Sequence, residues 1–225
     1  MKEPIILKKD KLLNFVKNHI PENPIIVEAG AFNGADTKRL HTCWPAASIH
    51  AFEPVPEIFA LLEQNTHNLQ TIKRYQIALS DHVGTATFHL SENPALPDKP
   101  FPAGSLHAPK ERLAWSNAVY KKTITVPTIT LDAWAQQHTI NHIDFLWLDL
   151  QGHALAVLKA APHILARTKV IYIEVEFIQA YCDTPLYEEV KTWLESHGFT
   201  LIAKDFTEQT SWFFGNALFI QNYTD

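Results

Sequence analysis

The hydrophobic pattern of the chain alternates between two periods. Short continuous apolar runs, typical of strands buried on both faces, are separated by segments with apolar residues at helical spacing. The runs predict seven strands of one sheet, over residues 25–27, 48–52, 72–79, 143–148, 170–175, 199–203 and 211–220. The other segments predict helices over residues 10–19, 36–44, 56–67, 131–137, 154–165 and 186–195. This alternation indicates an α/β fold with a largely parallel, Rossmann-like sheet.

Two parts of the chain depart from this alternation. Residues 85–90 and 123–130 alternate polar and apolar positions, which predicts an inserted β-hairpin with Pro127 on an edge strand. The 91–120 segment between them contains five prolines, and we expect a long Pro-rich loop. That loop is either a lid over the site or a surface excursion or oligomer contact. No helix-length insert separates the last two predicted strands, so the last strand should be antiparallel.

Composition and charge restrict the class of protein. Hydrophobic residues make up 46% of the chain and charged residues 19%, which is typical of a soluble globular domain. We therefore expect a single domain over residues 1–225, with an N-terminal helical segment in residues 1–24. The net charge of −5 argues against a nucleic-acid partner, and no apolar run has the length of a signal-peptide core or membrane span. The two cysteines have no zinc spacing, so we expect no metal. Because no targeting or membrane-length run is visible, we expect a cytoplasmic location and no membrane partner. The sequence leaves a homo-oligomer open.

An acidic turn with two glycines follows the first strand of the predicted sheet. Glu28, Gly30 and Gly34 form an ExGxxxG pattern, and Glu53 ends the next strand nineteen residues after Gly34. Glu28 replaces the first glycine of a nicotinamide fingerprint, and its charge would repel a pyrophosphate but suits a cationic amine. A carboxylate at Glu53 can accept hydrogen bonds from ribose hydroxyls. The pattern therefore indicates S-adenosylmethionine rather than NAD, unless both glycines serve only turn formation and packing.

Four segments of the chain carry a more specific signal. They are Val27–Gly34, Ala51–Pro56, Ala78–Asp81 and Ile143–His153. In this order, within residues 25–176, they resemble the FkbM family of S-adenosylmethionine-dependent methyltransferases. The resemblance implies a seven-strand methyltransferase sheet whose last strand is antiparallel. It implies three groups of cofactor contacts: Glu28, Gly30, Ala31 and Phe32 at the methionine end, Glu53 at the ribose, and Ala78 and Leu79 at the adenine. Gly34 and Pro54 complete the candidate cofactor-binding residues.

Asp149 ends a strand whose carboxyl end should face the same cleft. Methylation of a hydroxyl releases a proton, so a carboxylate or imidazole within hydrogen-bond reach can act as the base. Asp149 and His153 are the candidate catalytic residues. The alternatives are a carboxylate that stabilises a helix N-terminus and a surface histidine. Gln151 and His153 depart from the Asp-x-Glu-Gly-x-Glu run that is usual in the family.

The remaining candidates concern the methyl acceptor. Ser105, Gln151 and Glu174 are the candidate substrate-binding residues; Ser105 matches a Ser-Leu pair of the family and Glu174 an acidic position near a strand end. We expect an S-adenosylmethionine-dependent methyltransferase that methylates a hydroxyl of a small molecule or sugar. The alternative is a catalytically inactive S-adenosylmethionine-binding fold that acts as an interaction module, because Gln151 cannot serve as a base.

Overall fold

The computed structural model describes residues 3–7, 9–96, 99–207 and 213–222, and within them the chain forms two β-sheets and eight helices. The strands are β1 (Ile5–Ile6), β2 (Ile25–Ala29), β3 (Ser48–Phe52), β4 (Ile72–Tyr75), β5 (Ala78–Leu79), β6 (Gly84–Glu92), β7 (Val119–Ile129), β8 (Ile143–Leu148), β9 (Thr168–Glu176), β10 (Phe199–Lys204) and β11 (Phe214–Gln221). The helices are α1 (Lys9–Val16), α2 (Ala35–Cys43), α3 (Pro56–Thr66), α4 (Arg112–Trp115), α5 (Leu131–Gln137), α6 (Ala154–Lys159), α7 (Pro162–Leu165) and α8 (Tyr187–Ser196).

The larger sheet has eight strands in the order β1-β10-β11-β9-β8-β2-β3-β4. Strands β2, β3, β4, β8 and β9 run parallel, whereas β11 runs antiparallel to both of its neighbours. The predicted Rossmann-like sheet with an antiparallel last strand is thus confirmed. From β2 the chain proceeds to β3 and β4 on one side, and β8 and β9 lie on the other. The carboxyl ends of β2 and β8 therefore meet at a switch point, where parallel α/β sheets bind ligands.

Several predicted elements need correction. The main sheet has eight strands instead of seven, because Ile5–Ile6 pairs with β10 and is too short to give a periodic signal. The predicted strand over 72–79 is two strands, since β4 stays in the main sheet while β5 pairs with β7. The predicted helix over 154–165 is also divided, because Pro162 has no N–H to donate and begins α7. Of the predicted segments, residues 1, 2, 8, 97, 98, 211 and 212 lie outside the described residues.

The second sheet has three strands in the order β5-β7-β6. The β6–β7 pair is the predicted inserted hairpin. The expectation that Pro127 lies on an edge strand is wrong, because β7 is the middle strand. Pro127 comes just before the two residues of β7 that pair with β5. Its lack of an N–H group therefore removes no hydrogen bond between β7 and β5.

Apolar side chains cover both faces of the main sheet. One cluster packs α1, α2 and α3 against one face, and the other packs α5 to α8 against the opposite face. All six residues of β8 are buried between these layers. Burial of each large apolar side chain stabilises the fold by about 1.5–3 kcal/mol, which fixes the strand ends that carry the site. Within the described ranges, none of the helices combines the length and apolar character needed for a membrane span.

Candidate active site

A cavity of about 330 Å³ lies at the switch point, at the carboxyl ends of β2, β3 and β8. Its volume falls in the range of about 300–1,000 Å³ that is typical of small-molecule and cofactor sites. Ten predicted site residues line it: Gly30, Ala31, Phe32, Glu53, Pro54, Ala78, Leu79, Asp149, Gln151 and His153. Four others do not: Glu28, Gly34, Ser105 and Glu174.

The turn after β2 forms one wall of the cavity and depends on glycine. Gly30 has a φ of +84°, and a Cβ there would lie 1.9 Å from the backbone oxygen of Asp149. The turn and the end of β8 can therefore approach each other only without a side chain at this position. Gly34 has a different role, because a Cβ there would come within 2.9 Å of the Leu62 side chain, between α2 and α3.

Glu53 places a buried carboxylate in the cavity wall. Its Oε2 accepts a hydrogen bond from the Phe32 N–H at 3.1 Å, and its Oε1 accepts one from the Val55 N–H at 2.9 Å. Burial raises the pKa of Glu53 to about 7, although these two N–H donors oppose the rise. The carboxyl group thus changes its charge near neutral pH.

Glu28 lies behind the cavity wall. Its side chain is 1% exposed, and its Oε2 accepts a hydrogen bond from the Thr37 hydroxyl of α2 at 2.5 Å. The two acidic residues at the ends of β2 and β3 therefore have different surroundings. Glu28 ties the strand to the helix that follows the turn, whereas Glu53 lines the cavity.

The end of β8 brings an acid and an amide together. Asp149 and Gln151 both line the cavity, and the Gln151 Nε2 lies 2.8 Å from the Asp149 Oδ1. The same nitrogen lies 2.9 Å from the Oε1 of Glu174 on β9. Burial, followed by the charges of Asp149 and Glu176, raises the pKa of Glu174. Glu174 is thus joined to the site through Gln151.

His153 is buried at the cavity wall with both ring nitrogens in contact with protein groups. Its Nε2 lies 3.0 Å from the Ser80 hydroxyl, and its Nδ1 lies 2.9 Å from the His107 Nε2. Burial, and then the neighbouring His107, lowers the pKa of His153 to about 4. The imidazole is therefore neutral at physiological pH.

The second half of the Pro-rich segment packs against the site. The Ser105 hydroxyl donates to the backbone oxygen of Gln151 at 2.9 Å, and Ser105 pairs with His89 of β6 through backbone hydrogen bonds. Further along, the backbone N–H groups of Lys110 and Arg112 both donate to the Ala180 oxygen. This part of the segment is held in place as a wall of the site region.

Sequence reasoning missed the apolar walls opposite the acidic turn and the partners of the polar residues. Phe88, Leu90, Phe101 and Leu106 line the cavity from β6 and the segment that follows it. The period-2 pattern of β6 places Phe88 and Leu90 on one face and could have identified them. The Tyr181 hydroxyl, which bonds the side-chain oxygen of Gln151, gave no comparable local signal. Among the described residues, no three His, Cys, Asp or Glu side chains are grouped so that they could hold a metal ion.

Comparisons with known proteins agree with this architecture. The Methyltransferase FkbM domain matches residues 28–201 of the chain. The 2-O-methyltransferase NoeI of Sinorhizobium fredii is 30% identical over 167 residues, which cover 74% of this chain and 66% of that relative. The chain thus spans just under two thirds of the length of this relative.

Solved structures share the fold at low sequence identity. The methyltransferase FkbM of Methylobacillus flagellatus has a TM-score of 0.57 and 12% identity, over 96% of this chain and 48% of that one. Fibrillarin of Aeropyrum pernix, solved with natively bound S-adenosyl-L-methionine, has a TM-score of 0.53 and 11% identity, over 94% and 74% of the two chains. With the domain match over most of its length, the chain belongs to the FkbM family of methyltransferases.

Proposed function

We propose that this protein transfers the methyl group of S-adenosylmethionine to a hydroxyl of a small molecule or sugar. The observation that carries the proposal is the buried Glu53 carboxylate in a cavity at the switch point, beside the turn that Gly30 makes possible. Family membership supports methyl transfer. The name of NoeI, which describes 2-O-methylation, supports oxygen as the acceptor atom.

The residues of the cavity fit this cofactor. Each Glu53 oxygen accepts one backbone N–H, and a carboxylate has about four lone-pair sites, so acceptor capacity is left for two ribose hydroxyls. Ala78 and Leu79 provide an apolar wall for the adenine, and Gly30, Ala31 and Phe32 border the space for the methionine end. Glu28 acts through Thr37 by fixing the helix behind this turn. When bound, S-adenosylmethionine supplies a methyl group that its positive sulfur has already activated.

The protein's own part is to position the acceptor, remove its proton and keep water out. Asp149 accepts the hydroxyl proton as the oxygen gains the methyl group, so the proton ends on the carboxylate. Apolar side chains such as Phe88, Phe101 and Leu106 exclude water from the site. His153, the other candidate catalytic residue, completes the wall as a neutral imidazole. Its contacts with Ser80 and His107 occupy both ring nitrogens, which favours Asp149 as the base. Ser105 contributes indirectly to the binding of the methyl acceptor, because its hydroxyl holds the backbone oxygen of Gln151.

The proposal includes a cytoplasmic location and an acceptor other than nucleic acid. Cys43 and Cys182 are both free thiols, as is common in reducing compartments, and the net charge is −5. The competing candidate is an inactive S-adenosylmethionine-binding module, which is favoured by the amide of Gln151 in place of an acid.

Two measurements test the proposal. Calorimetry with S-adenosylhomocysteine and with NAD should give binding of the first and none of the second. Incubation with methyl-labelled S-adenosylmethionine and a panel of hydroxyl and amine acceptors should then label a hydroxyl. Binding of NAD alone would refute the cofactor assignment, and cofactor binding without turnover across the panel would favour the inactive module.

A further inference from the structure

Every polar atom of the Gln151 side chain is used in contacts within the protein. Its Nε2 donates to Asp149 Oδ1 at 2.8 Å and to Glu174 Oε1 at 2.9 Å. Its Oε1 accepts a hydrogen bond from the Tyr181 hydroxyl at 2.9 Å. The residue is 8% exposed, so water has little access to these contacts. Although Gln151 borders the cavity, its amide is already committed to other protein groups.

The backbone that places this amide is strained and held by neighbours. Gln151 has a φ of +48° and Gly152 a φ of +92°, so two consecutive residues are left-handed. A Cβ on Gly152 would lie 2.3 Å from the Thr184 side chain, and the Ser105 hydroxyl holds the Gln151 backbone oxygen. A non-glycine residue in this conformation persists only where its surroundings enforce it, and such strain is concentrated at functional sites.

The orientation of the amide is specified from both ends. Burial raises the pKa of Tyr181, so its hydroxyl keeps its proton and can donate to the Gln151 oxygen. The Tyr181 hydroxyl also lies 2.8 Å from the backbone oxygen of Ala103, but that oxygen has a second donor in the Tyr120 hydroxyl at 2.9 Å, so the single Tyr181 proton is best placed on the Gln151 Oε1. If the amide turned over, its oxygen would face the Asp149 and Glu174 carboxylates and both donors would be lost. The amide plane is therefore fixed with its NH₂ group between the two acids.

We propose that Gln151 is a positioning residue for Asp149 and that Tyr181 sets the orientation of Gln151. One N–H of the Gln151 amide donates to Asp149 and the other to Glu174, so the amide holds the Asp149 carboxylate in one place and stabilises its ionised form, as a base requires. A glutamate at this position, as is usual in the resembling family, would instead bring three carboxyl groups together and remove both N–H donors of the amide. The glutamine is therefore compatible with an active site, and its presence in place of glutamate does not indicate that catalysis has been lost. This inference rests on the proposed function, because a fixed base matters only if the cavity performs methyl transfer.

The test is a ¹³C NMR titration of the Asp149–Glu174 pair in the full chain, with labelled aspartate and glutamate carboxyls. Gln151→Glu has the same shape but adds a like charge, and it should raise the apparent pKa values of the pair by about one unit or more. Tyr181→Phe should raise them in the same direction by a smaller amount, because the amide is no longer held. Tyr75→Phe, which removes a hydroxyl on β4 that contacts His50 at 3.0 Å, three strands away from β8, is the matched control and should leave them unchanged.

The titration needs neither cofactor nor acceptor, so its result is separate from the fate of the proposed function. Melting curves establish that each variant is folded. An unchanged titration of the pair in folded Gln151→Glu and Tyr181→Phe would overturn the inference. A shift in Tyr75→Phe as large as that in Tyr181→Phe would also overturn it, because the effect would not pass through Gln151. On any acceptor that the panel identifies, Tyr181→Phe should lower kcat and move the acid limb of its pH profile upward, with the KM for cofactor unchanged.

Discussion

The affinity for cofactor should fall as the pH is lowered from 8 to 6, because Glu53 becomes protonated in this window. Burial raises the pKa of Glu53 to about 7, so the carboxylate form that accepts from ribose hydroxyls is lost as the pH falls through that value. If only the ionised form binds well, the apparent affinity scales with its population. That population falls from about 0.9 at pH 8 to about 0.1 at pH 6, which weakens binding about tenfold, or about 1.4 kcal/mol.

Calorimetry with S-adenosylhomocysteine at several pH values measures this effect directly. His153 also lines the cavity, and its pKa of about 4 keeps it neutral throughout the window. Glu53→Gln provides the matched control, because it keeps the shape of the side chain but does not titrate. This variant should bind at least tenfold more weakly than the native protein at pH 8, and its affinity should be nearly independent of pH. A native affinity that is constant between pH 6 and 8 would refute the reasoning, and so would a pH dependence that survives in Glu53→Gln.

Three further changes test other parts of the site and fold. Asp149→Asn should lower turnover strongly while the affinity for S-adenosylhomocysteine changes little, and equal turnover would exclude Asp149 as the base. Gly30→Ala should lower the melting temperature far more than Gly198→Ala, since the two glycines have φ values of +84° and +85° but only the Cβ at position 30 meets an atom, at 1.9 Å; equal losses would mean that backbone strain alone requires glycine. Phe145→Ala should reduce the free energy of unfolding by about 3–5 kcal/mol in urea melts, because its side chain is fully buried in the central strand, and a loss below about 1 kcal/mol would contradict that packing.

Much of the fold could be predicted because its signals are local. Buried strands are largely apolar runs, and five of the six residues over 143–148 are apolar and buried. Asp144 is buried as well, which its own type does not predict, and its Oδ2 accepts a hydrogen bond from the Ile25 N–H at 2.9 Å. The short edge strand Ile5–Ile6 could not be predicted, because two residues have no period. The departure of Ala78–Leu79 from the main sheet also left no local signal, since strand pairing is decided by residues far along the chain, here 128 and 129.

The site could also be predicted in part, where its residues lie at the ends of predicted strands. Acids and glycines at strand ends identified Gly30, Glu53 and Asp149 as neighbours, because the carboxyl ends of parallel strands meet at one edge of the sheet. The sequence treated Glu28 and Glu53 alike, although only Glu53 lines the cavity. That difference depends on the packing of Thr37 against Glu28, which a strand pattern does not specify.

The sequence by itself determined the parallel α/β sheet, the antiparallel last strand and the family, because each follows from periodicity and from short motifs that are contiguous in the chain. Only the tertiary structure decided which carboxylate enters the cavity and what the amide of Gln151 contacts. Its partners Glu174 and Tyr181 lie 23 and 30 residues away along the chain and reach it from a neighbouring strand and the segment after it. Hydrogen bonds between such distant residues depend on distances of a few ångströms and on the directions of the side chains. The packing of the strands sets both, and a local residue pattern does not specify them.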